Sequence, residues 1–231
     1  MSGVERAPRL AVVVIHGALR SRAGLWPTTL YLRRKGIDAR SFGYDTRGAT
    51  LSEHGVRLAA FVDAWQAKRP FDVLGILTHS MGGLVARAYL ATPEAQRQTR
   101  RQRLVMLAPP NRGSYLASRF HGFRPFHWLY GVAAEELQPA RVASLPPPPA
   151  STDVLILAGG RLTGEVGYLK QIPGNNDGVV ALAETFLPGI EPLLVGGSHS
   201  LLQWRPSILD RAIRFLRGEA LGGEDQNADG R

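Results

Sequence analysis

The sequence predicts an α/β fold: a mostly parallel central sheet with helices on both faces and a small cap or lid insertion. Two observations carry this. Short aliphatic runs alternate with longer amphipathic ones, the rhythm of strands joined by crossover helices. The 231 residues, 44% hydrophobic, suffice for one sizeable core, so one domain is expected over 1–231.

The elements follow in order. "LAVVVI" (10–15) reads as a buried strand, "LWPTTLYLRRKG" (25–36) as a helix ended by glycine, and "IDARSF" (37–42) as a second strand. In "LSEHGVRLAAFVDAWQAK" (51–68), Val56, Leu58, Ala59, Phe61, Val62 and Trp65 recur near helical spacing. "FDVLGILT" (71–78) is a third strand, running into a helix that opens at Ser80. "RLVMLA" (103–108), "DVLILAGG" (153–160) and "EPLLVGG" (191–197) supply three more strands. "PSILDRAIRFLRG" (206–218) closes the fold, starting with proline and ending with glycine as helices tend to. The polar, glycine-rich residues 219–231 are expected to be disordered.

Residues 114–150 break the rhythm and are expected to form the lid or cap. Their aromatics, Phe120, Phe123, Phe126, Trp128 and Tyr130, either face an apolar acyl or alcohol group or pack on the sheet as a satellite core. Residue types alone leave both open.

Composition narrows the function. The chain has no cysteine, which excludes disulfides, thiolate metal sites and cysteine nucleophiles. The apolar run near the start is too short for a signal-peptide core, and no stretch approaches the roughly 20 apolar residues of a membrane span. A cytoplasmic location is therefore expected, although a leader removed earlier leaves no trace in these residues. The net charge of +9 is spread over scattered arginines with one dense cluster, "RQTRRQR" (97–103). No aromatic-rich RNA-binding motif accompanies it, so no nucleic-acid partner is expected, and at most weak attraction to anionic surfaces. Neither a metal nor a cofactor is expected, and no pattern specifies an oligomeric state.

The chemistry centres on "THSMGGLVAR" (78–87). A serine on a sharp strand-to-helix turn needs small residues two places before and after it, because larger side chains there collide with neighbouring backbone. Gly82 meets the second requirement and Gly83 permits close helix packing, but Thr78 stands where glycine is usual. Taken alone, the pattern also fits an ordinary helix start. A nucleophilic serine needs a base, and in this architecture the chain order is serine, acid, histidine.

Order removes His16, His54 and His79 as bases; His121 and His127 fall in the insertion, before any acid that follows a late strand. His199 remains, after the sixth strand. Asp153 lies at the wrong end of its strand and Asp210 within the last helix, leaving Asp177 in the loop "IPGNNDGVV". Two donors should face the developing oxyanion: the amide of Met81, after the nucleophile, and that of Ala18, in the loop after the first strand. Gly17 frees that loop, and His16 is expected to brace it rather than transfer protons.

These pieces resemble the α/β-hydrolase superfamily, and within it bacterial lipases and esterases of a short, lid-poor type. The similar segments are "IHGAL" (15–19), "THSMGGLVAR" (78–87), "LAPPNRGS" (107–114), "NNDGVV" (175–180) and "GGSHSLL" (196–202), spanning residues 10 to 217. The resemblance implies the same triad, Ser80, Asp177 and His199. It also implies a serine hydrolase that cleaves small-molecule or lipid carboxylic esters through an acyl-enzyme. The disulfide, extended lid helices and calcium-binding aspartates of large secreted lipases are missing, which weighs against a long-chain triglyceride substrate. Competing expectations are an acyltransferase, lactonase or amidase with the same triad, or a non-catalytic binding module on a hydrolase scaffold.

Overall fold

The computed structural model describes residues 6–221. Of the tail expected to be disordered, residues 222–231 lie outside that range. Six strands, β1 (Leu10–Ile15), β2 (Asp38–Phe42), β3 (Val73–His79), β4 (Arg101–Leu107), β5 (Thr152–Ala158) and β6 (Leu193–Leu194), form one parallel sheet in the order β2-β1-β3-β4-β5-β6.

A parallel sheet covered on both faces needs apolar residues at every position, which is why β1 and β3 read as continuous aliphatic runs. Alternate residues feed separate cores. Ala11, Val13, Ile15, Leu74 and Ile76 pack beneath α2 (Leu51–Lys68) and α3 (Gly82–Leu90). Val12, Val14, Leu77 and Val105 pack beneath α1 (Trp26–Arg34) and α9 (Pro206–Arg217). Each fully buried aliphatic side chain contributes about 1.5–3 kcal/mol relative to exposure. The amphipathic stripe of α9, Ile208, Leu209, Ala212, Ile213 and Leu216, is buried along one side.

Helix α2 begins at a reciprocal cap: Thr50 Oγ1 accepts from the Glu53 amide at 3.3 Å, and Glu53 Oε2 accepts from the Thr50 amide at 2.8 Å. Its buried stripe runs through Leu51, His54, Gly55, Leu58, Ala59, Val62 and Trp65. Val56, expected inward, faces solvent instead, because the inward positions on that turn belong to His54 and Gly55. Gly55 is there for proximity, since a Cβ at this position would stand 2.7 Å from the backbone carbon of Ala88 in α3.

The sixth strand is far shorter than expected over 191–197. Gly196 and Gly197 adopt φ of 66° and 98°, outside strand geometry, and turn the chain after two paired residues. After β3 and α3, a short α4 (Pro93–Gln96) leads into β4. Between β4 and β5 lie four short helices, α5 (Tyr115–Arg119), α6 (Arg124–Tyr130), α7 (Ala133–Glu136) and α8 (Pro139–Ala143). Among the described residues no helix is long and apolar enough to cross a membrane.

Candidate active site

The carboxyl ends of β1, β3 and β4 share an unusual backbone. Leu19, Ser80 and Ala108, which follow these strands, are the non-glycine residues with positive φ among the described residues, at 55°, 55° and 47°. Left-handed geometry costs a residue with a Cβ about 1–2 kcal/mol, and such strain concentrates where a site over-determines the chain. Ser80 is held in it from both sides: its amide donates to the Leu107 carbonyl at 2.8 Å, and its carbonyl accepts from the Gly83 amide at 2.9 Å.

The turn is crowded. A Cβ on Gly82 would stand 2.7 Å from the His16 carbonyl oxygen, and one on Gly83 would stand 2.7 Å from Met106 Cε. A Cβ on Gly17 would stand 2.8 Å from that of Ser80, so the loop after β1 lies directly against the serine. Thr78, one of the last residues of β3, is buried and donates its hydroxyl to the Val105 carbonyl at 3.2 Å.

His199 opens a short 3-10 turn after β6, and its Nδ1 lies 2.7 Å from Asp177 Oδ2. The other carboxylate oxygen of Asp177 accepts the amides of Val179 and Val180 at 3.0 and 2.8 Å, and the His199 amide donates to the Asp177 carbonyl at 2.9 Å. With a carboxylate on Nδ1, the imidazole is left with its other nitrogen, Nε2, as the acceptor. Room for Asp177 comes from Gly159 after β5, where a Cβ would stand 2.7 Å from that of Asp177. Asn176, wholly buried, knits the acid loop together by accepting from the amides of Leu169 and Gly178 and donating to the carbonyls of Leu169, Ile172 and Gly174.

His16 is held on several sides, by Tyr44 and the neighbouring loop backbone. Its Nε2 accepts from the Tyr44 amide at 3.3 Å, which leaves the proton on Nδ1, 2.9 Å from the Gly17 carbonyl. The ring stacks on Tyr44 at 4.3 Å, the Tyr44 hydroxyl donates to the His16 carbonyl at 2.7 Å, and burial pushes the imidazole pKa down, keeping it neutral. The backbone N–H groups of Ala18 and Met81 take part in none of the hydrogen bonds found among the described residues.

Ser80, His199 and Ala18 border one cavity of about 240 Å³, whose other walls are largely apolar: Leu116, Ala117, Phe126, Tyr130, Leu137 and Val180. Of the aromatics expected to line it, Phe126 and Tyr130 do. Phe120, Phe123 and Trp128 do not; they are exposed, Trp128 to 76%. Helical geometry explains Trp128, because residues 126 and 130 share one face of α6 and 128 lies across from it, while Phe120 and Phe123 precede the helix.

Sequence reading missed several neighbours. His79 packs its ring 4.6 Å from that of His199 and bonds the His199 carbonyl through Nε2 at 2.9 Å; burial pulls its pKa down to about 3. Arg20 borders the cavity and donates to Ser200 Oγ at 2.7 Å. Glu184, its pKa raised by burial, accepts the amides of Ala181 and Tyr115 and so ties the acid loop to the start of α5. None of these contacts has a period or a fixed spacing that a sequence displays.

Comparison with known proteins agrees with this architecture. A crystal structure of the Bacillus licheniformis lipase BlEst2 in its mature form superposes with a TM-score of 0.69 at 21% identity, over 91% of this chain and 90% of that one. For the propeptide form the values are 0.76 and 19%, over 92% of this chain but 51% of the other, so this chain spans about half of that protein's length. Phospholipase PlaB from Legionella pneumophila aligns at 0.60 and 18% identity, over 77% of this chain and 45% of that one. No curated protein matches the sequence significantly. The family model described as alpha/beta hydrolase fold matches residues 11–205, from the first strand to the turn that carries His199, and the chain belongs to that family.

Proposed function

We propose that the protein is a serine hydrolase that cleaves carboxylic esters through an acyl-enzyme. The observation that carries this reading is the 2.7 Å contact between His199 and the buried Asp177, in the same cavity as a serine held in left-handed geometry. Ser80 Oγ attacks the ester carbonyl while His199 Nε2 takes its proton. Asp177 orients the imidazole and stabilises its charged form, and the amides of Ala18 and Met81 stabilise the oxyanion. His199 then protonates the departing alcohol, and a water activated by the same imidazole releases the acid.

The cavity, below the roughly 300 Å³ where ligand pockets usually begin, favours short acyl groups, and its apolar walls favour uncharged ones. Phe126 and Tyr130 form part of the lid in this reading. The substrate is a small-molecule ester, and a chain without cysteine suits a reducing cytoplasm.

The test is a panel of p-nitrophenyl esters from acetate to palmitate, with lactones, amides and an added alcohol acceptor, on wild type and Ser80→Ala. Turnover of short esters that Ser80→Ala loses, with fluorophosphonate labelling of Ser80, is the expected outcome. Asp177→Asn should lower kcat about 10⁴-fold, as loss of the orienting carboxylate does in serine proteases. No turnover and no labelling would overturn the reading.

A further inference from the structure

The four-helix segment between β4 and β5 carries a cluster that the ester chemistry does not use. His121 in the turn between α5 and α6, His127 in α6 and Glu135 in α7 converge on the solvent side of the segment. His121 Nε2 lies 3.2 Å from Glu135 Oε1, and His127 Nδ1 lies 3.7 Å from the same oxygen. We propose that these three side chains form a binding site for a zinc ion.

The distances suit the ion. Zinc bonds of about 2.0–2.2 Å to nitrogen and oxygen, arranged tetrahedrally, set neighbouring ligand atoms about 3.3–3.5 Å apart. The Glu135 oxygen stands 3.2 and 3.7 Å from the two nitrogens and all three ligand atoms lie within 4.8 Å of one another, so side-chain rotations at the surface bring them to that spacing.

A second observation points the same way. His127 Nε2 contacts the His121 carbonyl oxygen. A carbonyl can only accept, so Nε2 carries the proton and Nδ1 turns its lone pair towards Glu135. An outer hydrogen bond of this kind fixes the tautomer and orientation of a metal-bound imidazole. Two imidazoles and one carboxylate favour zinc over calcium or magnesium, which prefer oxygen ligands alone. The exposed position of the cluster leaves a fourth site for water.

Occupancy would act on the cavity wall. The ligands come from three consecutive pieces of the segment, and α6, which supplies His127, also supplies Phe126 and Tyr130 to the cavity beside Ser80. Zinc would clasp α6 to α7 and hold those two aromatics in place. The metal site itself does not depend on the esterase reading.

Protein stripped with EDTA and titrated with zinc chloride tests this by calorimetry and elemental analysis, neither of which reads activity. One zinc per chain is expected, retained in His199→Ala, with slower amide exchange over residues 120–136 when zinc is bound. His121→Gln with His127→Gln, and separately Glu135→Gln, should weaken binding at least 100-fold, since losing even an outer partner typically costs about 10–100-fold. All three side chains sit at the surface, and unchanged circular dichroism of the zinc-free variants checks their folding. A wild-type protein that binds no zinc, or variants that bind it as wild type does, would overturn the proposal.

Discussion

Thr78 shows how a single unexpected residue is accommodated. The turn requires little bulk before the serine, yet this threonine is buried and hydrogen-bonded. Thr78 does not depend on Gly83 for room, since a Cβ there would stand an ordinary 3.5 Å from the threonine Oγ1 and is excluded by Met106 and Pro109 instead. The hydroxyl therefore serves the β3–β4 contact, and the turn takes its shape from Gly17 and Gly82. Thr78→Gly should lower stability by about 1–2 kcal/mol, through the lost hydrogen bond and added backbone freedom, and leave kcat essentially unchanged. Thermal denaturation beside ester kinetics checks this; a collapse of kcat would show that Thr78 shapes the turn. The pairing of Asp177 with His199 was legible in the sequence because both stand in loops after strands, and elimination left one acid and one histidine there. His79 and Glu184 were not, because burial beside a particular ring or amide is a property of packing alone.

At the scale of elements, legibility followed length. The eighteen residues of α2 display a full helical period and the six of β1 an unbroken aliphatic run, and the structure bounds both where the pattern does. Helices of four to seven residues between β4 and β5 complete too few turns to show any period, and that segment read only as an interruption. What anchors it is likewise invisible from sequence. Arg87, on α3 and buried, donates to the carbonyls of Asn111, Val142, Leu145 and Pro146 at 2.6 to 3.5 Å, pinning both ends of the segment to the helix behind the serine. Burial pulls its pKa down to about 10, leaving the guanidinium charged at neutral pH. Arg87→Met should destabilise the protein by about 3–5 kcal/mol, because several buried carbonyls lose a charged donor at about 1–3 kcal/mol each. Chemical denaturation measures this directly, and a loss under 1 kcal/mol would mean the segment is anchored elsewhere.

For the whole molecule, three buried histidines set a response to acid. Burial holds His79 down to about 3 and lowers His16 and His54 from the ordinary 6.5. Below about pH 6.5 the unfolded chain takes up protons that the native state refuses, so stability is full above that pH and declines towards pH 3. The slope reaches about 1.4 kcal/mol per pH unit for His79, and His16 and His54 add to it in the same direction. Denaturant midpoints followed from neutral pH downward should fall accordingly, and His79→Asn should flatten the curve; a curve the variant leaves unchanged would refute its share.

The two-residue β6 and the charged β2 have a consequence for how copies of this protein meet. An open sheet leaves two borders with unpaired backbone groups, each a template on which another chain can add a strand. Here one border is too short to template anything. The other carries Arg40, laid over Trp65 at 4.7 Å, and Asp38, paired with Arg69 at 3.0 Å. An incoming strand would have to displace that charge before it could pair.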